Sequence, residues 1–561
     1  MEEKNTANAK PKISFMKNVL ILMFSEVAVK VMGLIYKLVI TNIEGFGDTG
    51  LGYYSSGYQI YSLLLALCSI GIPSVVSKLV SERLAINDNA GAQRIFRITM
   101  KLFAGIGLFF SVTLFLFADL IATKILNVPD VSYVLKVLAP AIVFVAASSV
   151  FRGYFNAQSN MKPASVSYTL EQFLNCVLSI TFVYALIGKD AYIMAAGGNL
   201  STTISVILTF VYIFIYYKRH KIKYAEEELK NSPEYNKTSK QLLKAVLAFS
   251  IPITIGSIIS VITSVIDTTT VSNCIQIAYS GIINSKGALE QLAMQKAGIL
   301  SKVDTLVNLP IAINIALSTA LLPAISHSVA QKDFDTTNKR LSFSVFISIL
   351  IIIPCAIGFI VLAEPILKLI YPSASDGAWV LRLASISMIF IALSQTINSG
   401  LQGLSKVYIP AIALAVGATV KLILNVILIS NPSINIYGAP ISSITCQIIA
   451  FCISYTSLKK SIKLNMDFKR NVLKPILAGL IMGLVVSLSN YGLNLITGKT
   501  ISTLISILIG VAVYIISVLL LKILTKEDIF MLPFGAKIYN ILEKKKIYMS
   551  VSYTHLTLPT T

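Results

Sequence analysis

Residues Leu341–Leu362 read LSFSVFISILIIIPCAIGFIVL and carry no charged side chain. A helix needs about 20 mostly apolar residues to cross the hydrocarbon of a bilayer, so this stretch is long enough for one crossing. Similar runs recur outward from it, at 292–325 and 243–273 before it and at 377–402, 407–430 and 435–458 after it. Continued to both ends of the chain, the pattern gives about fourteen such runs between residues 14 and 521. Composition agrees, with 55% hydrophobic residues, 13% charged residues and a mean hydropathy of +0.76, far from a soluble chain. A net charge of +21 would suit a nucleic-acid partner, but the bases sit in short gaps between apolar runs, where they orient helices. No nucleic-acid partner is expected.

With helices alternating in direction, the basic gaps 218–244 and 459–474 fall on one side, and the positive-inside bias makes that side cytoplasmic. A multi-pass protein of the plasma membrane follows, with both termini in the cytoplasm. The polar start MEEKNTANAKPKISFMKN enters an apolar run without a small-residue cleavage site, so residues 1–13 read as a cytoplasmic leader. Six cysteines form no CxxC pair and three histidines are far apart in sequence, so neither disulfide framework, metal nor cofactor is expected. Residues 525–549 read as a basic cytoplasmic tail. The string SVSYTHLTLPTT at 550–561 shares no pattern with anything upstream and reads as a non-native tail.

Short matches recur at an offset of about 245–250 residues. GIPSVVSK around Pro73 is echoed by LLPAISHS around Pro323, Ala118–Ile121 by Ala363–Ile366, and the Gly153/Pro163 pair by Gly400/Pro410. An even number of crossings returns the chain to the same side, so the repeat predicts two six-helix lobes of one orientation, 14–235 and 236–460, about a pseudo-two-fold axis along the membrane normal. Residues 461–524 supply two extra helices. The expected fold is an all-α integral membrane protein of about fourteen transmembrane helices, two six-helix lobes around a central cleft plus two C-terminal helices.

Six cations fall inside apolar runs: Lys30, Lys37, Lys136, Lys302, Arg382 and Lys421. Glu26, Glu171, Asp267 and Asp304 are the acids that match them. An ionised side chain at the bilayer centre costs about 2.5–3.5 kcal/mol even on translocon scales, so these residues should face a wet interior. Glu26, Lys30 and Lys37 lie within about 40° of one helix face, a charged stripe on the first helix. Snorkelling explains Lys37 and Lys136 well and Lys30 poorly. Arg382, close to Trp379, reads as a headgroup anchor. Lysines on the first and eighth helices would bring positive charge into the cleft, where a diphosphate could sit, Lys serving as a point charge that holds and releases phosphate. Lys421 is ambiguous. Glu171, Asp267 and Asp304 either exchange a proton or monovalent cation or simply neutralise the lysines.

GLGYYSSGYQIYSLLLALCSIGIPSVVSKLVSERL (Gly50–Leu84), SSVFRGYFNAQSNMKPASVSYTLEQFLN (Ser148–Asn175) and NSGLQGLSKVYIPA (Asn398–Ala411) resemble the signatures of the stage V sporulation protein B family. These are oligosaccharide or peptidoglycan-precursor flippases of the multidrug/oligosaccharidyl-lipid/polysaccharide exporter superfamily, related to MurJ-type lipid II flippases. The resemblance covers roughly residues 14–522, and it implies two six-helix lobes with two added helices. It also implies a cation in the first and eighth helices, positions held here by Lys30 and Lys302.

The expected activity is export of an undecaprenyl diphosphate-linked peptidoglycan precursor, lipid II, by alternating access, in cell-wall or sporulation biosynthesis and without enzymatic chemistry. The headgroup passes between the lobes while its lipid tail stays in the bilayer. No GxxxxGK[ST] phosphate loop is present, and an inside-negative potential favours anion export. Export of a teichoic-acid or capsule unit and cation-coupled drug export are the alternatives. A glycosyltransferase would need large outer loops that the sequence lacks. Arg152 is expected to brace a loop at a helix end or to meet phosphates at the surface, Gly153, Pro163, Gly400 and Pro410 to shape turns and kinks, and Gly71 with Pro73 to bend the second helix or simply to pack it.

Overall fold

The computed structural model describes residues 28–69, 71–222, 239–462, 467–525 and 528–529. Glu26, the leader 1–13, the boundary between the expected lobes at 235/236 and the tail 550–561 lie outside the described residues. Among the described residues thirteen helices are long and apolar enough to cross a membrane. The first expected run is described from residue 28 and is helical over 28–41, here α1.

The first lobe continues with α2 (Gly47–Cys68), α3 (Ile72–Leu84), α4 (Asn89–Leu120), α5 (Val131–Leu138), α6 (Ala141–Ala157), α7 (Lys162–Ala185) and α8 (Ala191–His220). The second expected crossing is broken into α2 and α3. Pro73 occupies the first turn of α3, where its missing N–H costs no helical bond, and Gly71 precedes the helix. The fourth crossing is likewise divided into α5 and α6, with Pro140 as the residue before α6. Pro163 begins α7 in the same manner.

The second lobe comprises α9 (Ser239–Tyr279), α10 (Lys286–Ala330), α11 (Phe334–Val361), the short α12 (Ala363–Ile370), α13 (Ala378–Gly403), α14 (Tyr408–Ile429) and α15 (Gly438–Lys459). Its packing repeats that of the first. Helix α6 packs on α3 and α4 as α13 packs on α10 and α11, and α7 pairs with α8 as α14 pairs with α15. Two of the repeated glycines sit in these contacts. A Cβ on Gly153 would stand 2.7 Å from the Pro73 carbonyl, and one on Gly400 would stand 2.8 Å from the Leu341 side chain. Pro410 lies in the first turn of α14.

The final pair, α16 (Lys474–Thr497) and α17 (Lys499–Leu520), docks on α11. Gly479 and Gly483 admit Ile353 and Ile357 of α11, and Tyr514 donates to the Leu350 carbonyl at 2.8 Å. Within each helix the backbone polar groups bond to one another, as hydrocarbon requires.

Candidate functional site between the lobes

The lobes meet along α2, α9 and α10. At the start of α2, and a few turns into α10, the two helices cross with backbone touching backbone. A Cβ on Gly298 would fall 1.7 Å from the Asp48 carbonyl oxygen, and one on Gly52 would fall 1.8 Å from that of Met294. Only residues without side chains permit this approach. Beside the crossing, Lys302 of α10 is fully buried and donates to both carboxylate oxygens of Asp48 at 2.7 and 2.8 Å. Its third proton goes to the Ala374 carbonyl in the α12–α13 connection. The ammonium therefore ties the start of α2 to the second lobe.

Further bonds close the same end of the bundle, which we call the far end because α1 finishes there. Asn42, just after α1, donates to the Ile370 carbonyl at 2.9 Å and accepts from the Ser373 N–H at 3.3 Å. Asn127, before α5, exchanges bonds with Gln276 of α9 at 3.0 and 2.9 Å. Asn273 donates to the Ile125 carbonyl at 2.7 Å. At the near end, polar contact between the lobes includes Lys78 of α3, which stands 3.7 Å from the ring centroid of Phe249 in α9. Both of those residues are exposed.

Behind the far-end seal lies a polar cavity of about 120 Å³ between α1, α2, α9 and α10. Its charged lining is Lys37, Asp267 and Asp304, supported by Gln59, Thr305 and Asn308. Lys37 reaches toward Thr305 Oγ1 at 3.5 Å, spanning from one lobe to the other. Asp267 is already neutralised. Its Oδ2 accepts from Lys421 at 2.6 Å and its Oδ1 from Asn425 at 2.9 Å, while Lys421 also donates to the Thr263 carbonyl at 3.2 Å. Asn425 Oδ1 is buried beside this cluster with no partner among the described residues.

The expected site residues are thus divided. Lys37, Asp267 and Asp304 line one cavity. Lys302 is withdrawn from it into the Asp48 pair, a correction to the expectation that it faces water. Lys30 is exposed on α1, about two turns toward the near end from Lys37. Lys421 reaches the cavity only through Asp267. Glu171 does not line the cavity; it pairs with Arg152, which also donates to Ser167 at 3.0 Å and lies 3.9 Å from the Tyr168 ring centroid. This places Arg152 as a brace between α6 and α7. Arg382 stacks 4.5 Å from Trp379, and Lys136 pairs with Asp119 at 2.7 Å.

Asp48 was not anticipated. In the sequence it reads as an acid in the first turn of a helix, which the helix dipole alone would justify. The glycines flanking it, in GFGDTGLGYY, were the available signal for a close crossing.

Residues 15–329 match the family described as polysaccharide biosynthesis protein, and residues 269–427 match MatE. The chain is 24% identical over 527 residues to stage V sporulation protein B of Bacillus subtilis (strain 168), covering 93% of this chain and 98% of that one. It is also 24% identical to the lipid II flippase MurJ of the same organism, over 83% and 86% of the two chains. A solved structure of lipid II flippase MurJ in an inward closed conformation aligns with a TM-score of 0.67 at 20% identity, over 90% of this chain and 98% of that one. An inward-facing multidrug resistance MATE family transporter of the MOP superfamily aligns at 0.64 and 15% identity, over 78% and 99%.

Proposed function

Because the chain belongs to the polysaccharide biosynthesis protein family, we propose that it is a flippase for a lipid-linked glycan, carrying an anionic headgroup between its lobes by alternate opening of their two ends. The observation that carries this reading is the polar cavity at the lobe interface, sealed at the far end by buried polar contacts. The positive-inside pattern makes the far end extracellular, so the headgroup enters from the cytoplasm. Lys30 and Lys37 lie on one stripe of α1, because seven residues return a helix to nearly the same face. They form a two-step path for a diphosphate, from the exposed Lys30 inward to Lys37. Asp304 faces the same cavity and is the acid available there for proton exchange, Asp267 being answered by Lys421.

Lipid II is the headgroup lipid we favour, because a relative and a solved structure that this chain resembles are both lipid II flippases; another undecaprenyl diphosphate-linked glycan, such as a teichoic-acid or capsule unit, is the alternative. The driving force is the membrane potential, worth about 2.3 kcal/mol per charge per 100 mV for an exported anion. The test is reconstitution in vesicles under an inside-negative diffusion potential, following enzyme access to lipid II and to a lipid-linked teichoic precursor. Lys37→Ala removes one charge-assisted hydrogen bond and should slow transfer about tenfold to a hundredfold. Failure of the unaltered protein with both substrates overturns the flippase reading.

A further inference from the structure

Tyrosines crowd one side of α2, beside the stripe that lines the polar cavity. Taken around the helix, Tyr61 and Tyr54 come first, then Tyr58, then Ser62, Ser55 and Gln59. Tyr54 and Tyr61 are each 1% exposed, whereas Tyr58 is 37% exposed. The Tyr58 ring lies parallel to that of Tyr54, with centroids 6.5 Å apart, and its centroid is 5.6 Å from that of Tyr61. Two buried rings therefore hold the third in place.

Tyr58 belongs to the middle of a membrane-crossing helix and lies deep within the protein, yet its hydroxyl makes no hydrogen bond among the described residues. A phenol without a partner is costly in hydrocarbon, so the exposed face of this ring meets water between the helices rather than lipid. Glu171 acts electrostatically on both Tyr58 and Tyr61, and its side chain is 28% exposed, which requires water as well. Arg152 takes one Glu171 oxygen, and the other has no hydrogen-bond partner among the described residues. Gln59 lines the cavity, and its side-chain oxygen accepts from Ser62 at 3.4 Å, which leaves its amide N–H groups for the cavity.

The level of Tyr58 follows from the pairing of α1 with α2. Tyr36 and Tyr54 bond hydroxyl to hydroxyl at 3.2 Å and set the register of these antiparallel helices. Lys37 stands beside Tyr36 in sequence, and Lys30 is six residues, about 9 Å, closer to the near end. Tyr58, four residues beyond Tyr54, is about 6 Å closer to that end and so lies between the levels of the two lysines.

We propose that Tyr58 is the floor of a sugar subsite, on which the first pyranose of the lipid-linked glycan stacks while its diphosphate moves from Lys30 to Lys37. The Gln59 amide donates to the ring substituents and the Glu171 carboxylate accepts from them. A pyranose has an apolar C–H face and a rim of hydroxyls, and an aromatic face with a donor and an acceptor at its edge complements both. A bare diphosphate would use neither. The subsite rests on the flippase reading and adds to it a means of selecting a glycan rather than any anionic lipid.

Equilibrium binding to the full chain in detergent tests it, with undecaprenyl diphosphate and undecaprenyl diphosphate N-acetylglucosamine as probes, because the two differ by a single pyranose. The unaltered protein should prefer the sugar-bearing probe by about tenfold, the scale of one good aromatic contact. Tyr58→Leu should abolish that preference without weakening undecaprenyl diphosphate, Tyr58→Phe should keep it, and Lys37→Ala should weaken both probes alike. Gln59→Ala leaves the aromatic packing intact and should reduce the preference, which keeps the test decisive if thermal unfolding shows Tyr58→Leu to be damaged. Equal binding of the two probes by the unaltered protein, equal weakening of both by Tyr58→Leu, or a preference that survives both Tyr58→Leu and Gln59→Ala overturns the subsite alone. Failure of the unaltered protein to bind either probe overturns the flippase reading together with it.

Discussion

Lys302 and Asp48 are each buried, and each leaves the other unpaired when removed. Breaking one partner of such a pair typically costs about 3–5 kcal/mol, whereas replacing both by apolar or neutral groups of similar size is often neutral. Lys302→Met alone should therefore lower the thermal unfolding temperature in detergent, and Lys302→Met/Asp48→Asn should recover most of the loss. A role for Lys302 as a phosphate ligand makes a different prediction, since the double variant would then fold and fail to transport. The same helix explains what a reading of the chain could and could not find here. Lys302 and Asp304 are two residues apart, so their side chains point about 160° apart around the helix. Charge within an apolar run nevertheless assigned both to the wet interior. Which of the two faces the cavity depends on Asp48, 254 residues away in sequence, and on the Ala374 carbonyl, and no local pattern announces either partner.

At the scale of elements, the crossing of α2 and α10 depends on Gly52 and Gly298. A methyl group on Gly298 would overlap the Asp48 carbonyl, and backbone cannot yield as a flexible side chain can. Gly298→Ala should push the helices apart and loosen the far end. A cysteine pair placed at Asn42 and Ser373, in a background without the six native cysteines, reads this directly. The pair should cross-link readily in the parent and stop transport until reduced, and Gly298→Ala should slow the cross-linking. Unchanged cross-linking would show that the glycines do not set the spacing. The succession of spanning helices, thirteen of them among the described residues where about fourteen were expected, followed from apolar run length, and the two lobes from the repeated Gly and Pro positions. The breaks at Gly71–Pro73 and Ala139–Pro140 were less visible, because a proline in an apolar run reads equally as a kink or as the first turn of a new helix.

For the whole molecule, the unequal treatment of the two ends predicts the direction of opening in the proposed transport. The far end is held by a buried ion pair, side-chain bonds to backbone and glycine-mediated contact. At the near end, the Lys78–Phe249 contact is exposed to solvent. Exposed cation–π contacts contribute about 0.5–1 kcal/mol, so thermal motion should part this contact far more often than the far-end pair. The cluster at Asp267 carries the remaining consequence. A sodium ion can be diluted away, exchanged or set by a gradient, but the ammonium that answers Asp267 is covalently part of α14 and stays beside it at any sodium concentration. Transfer rates measured in sodium chloride and in choline chloride at matched potential should accordingly coincide, and Lys421→Ala, which vacates that position beside three oxygen-bearing neighbours, should make the rate rise with sodium. The protein would then be a carrier whose counter-ion was installed at synthesis and needs no supply from its surroundings.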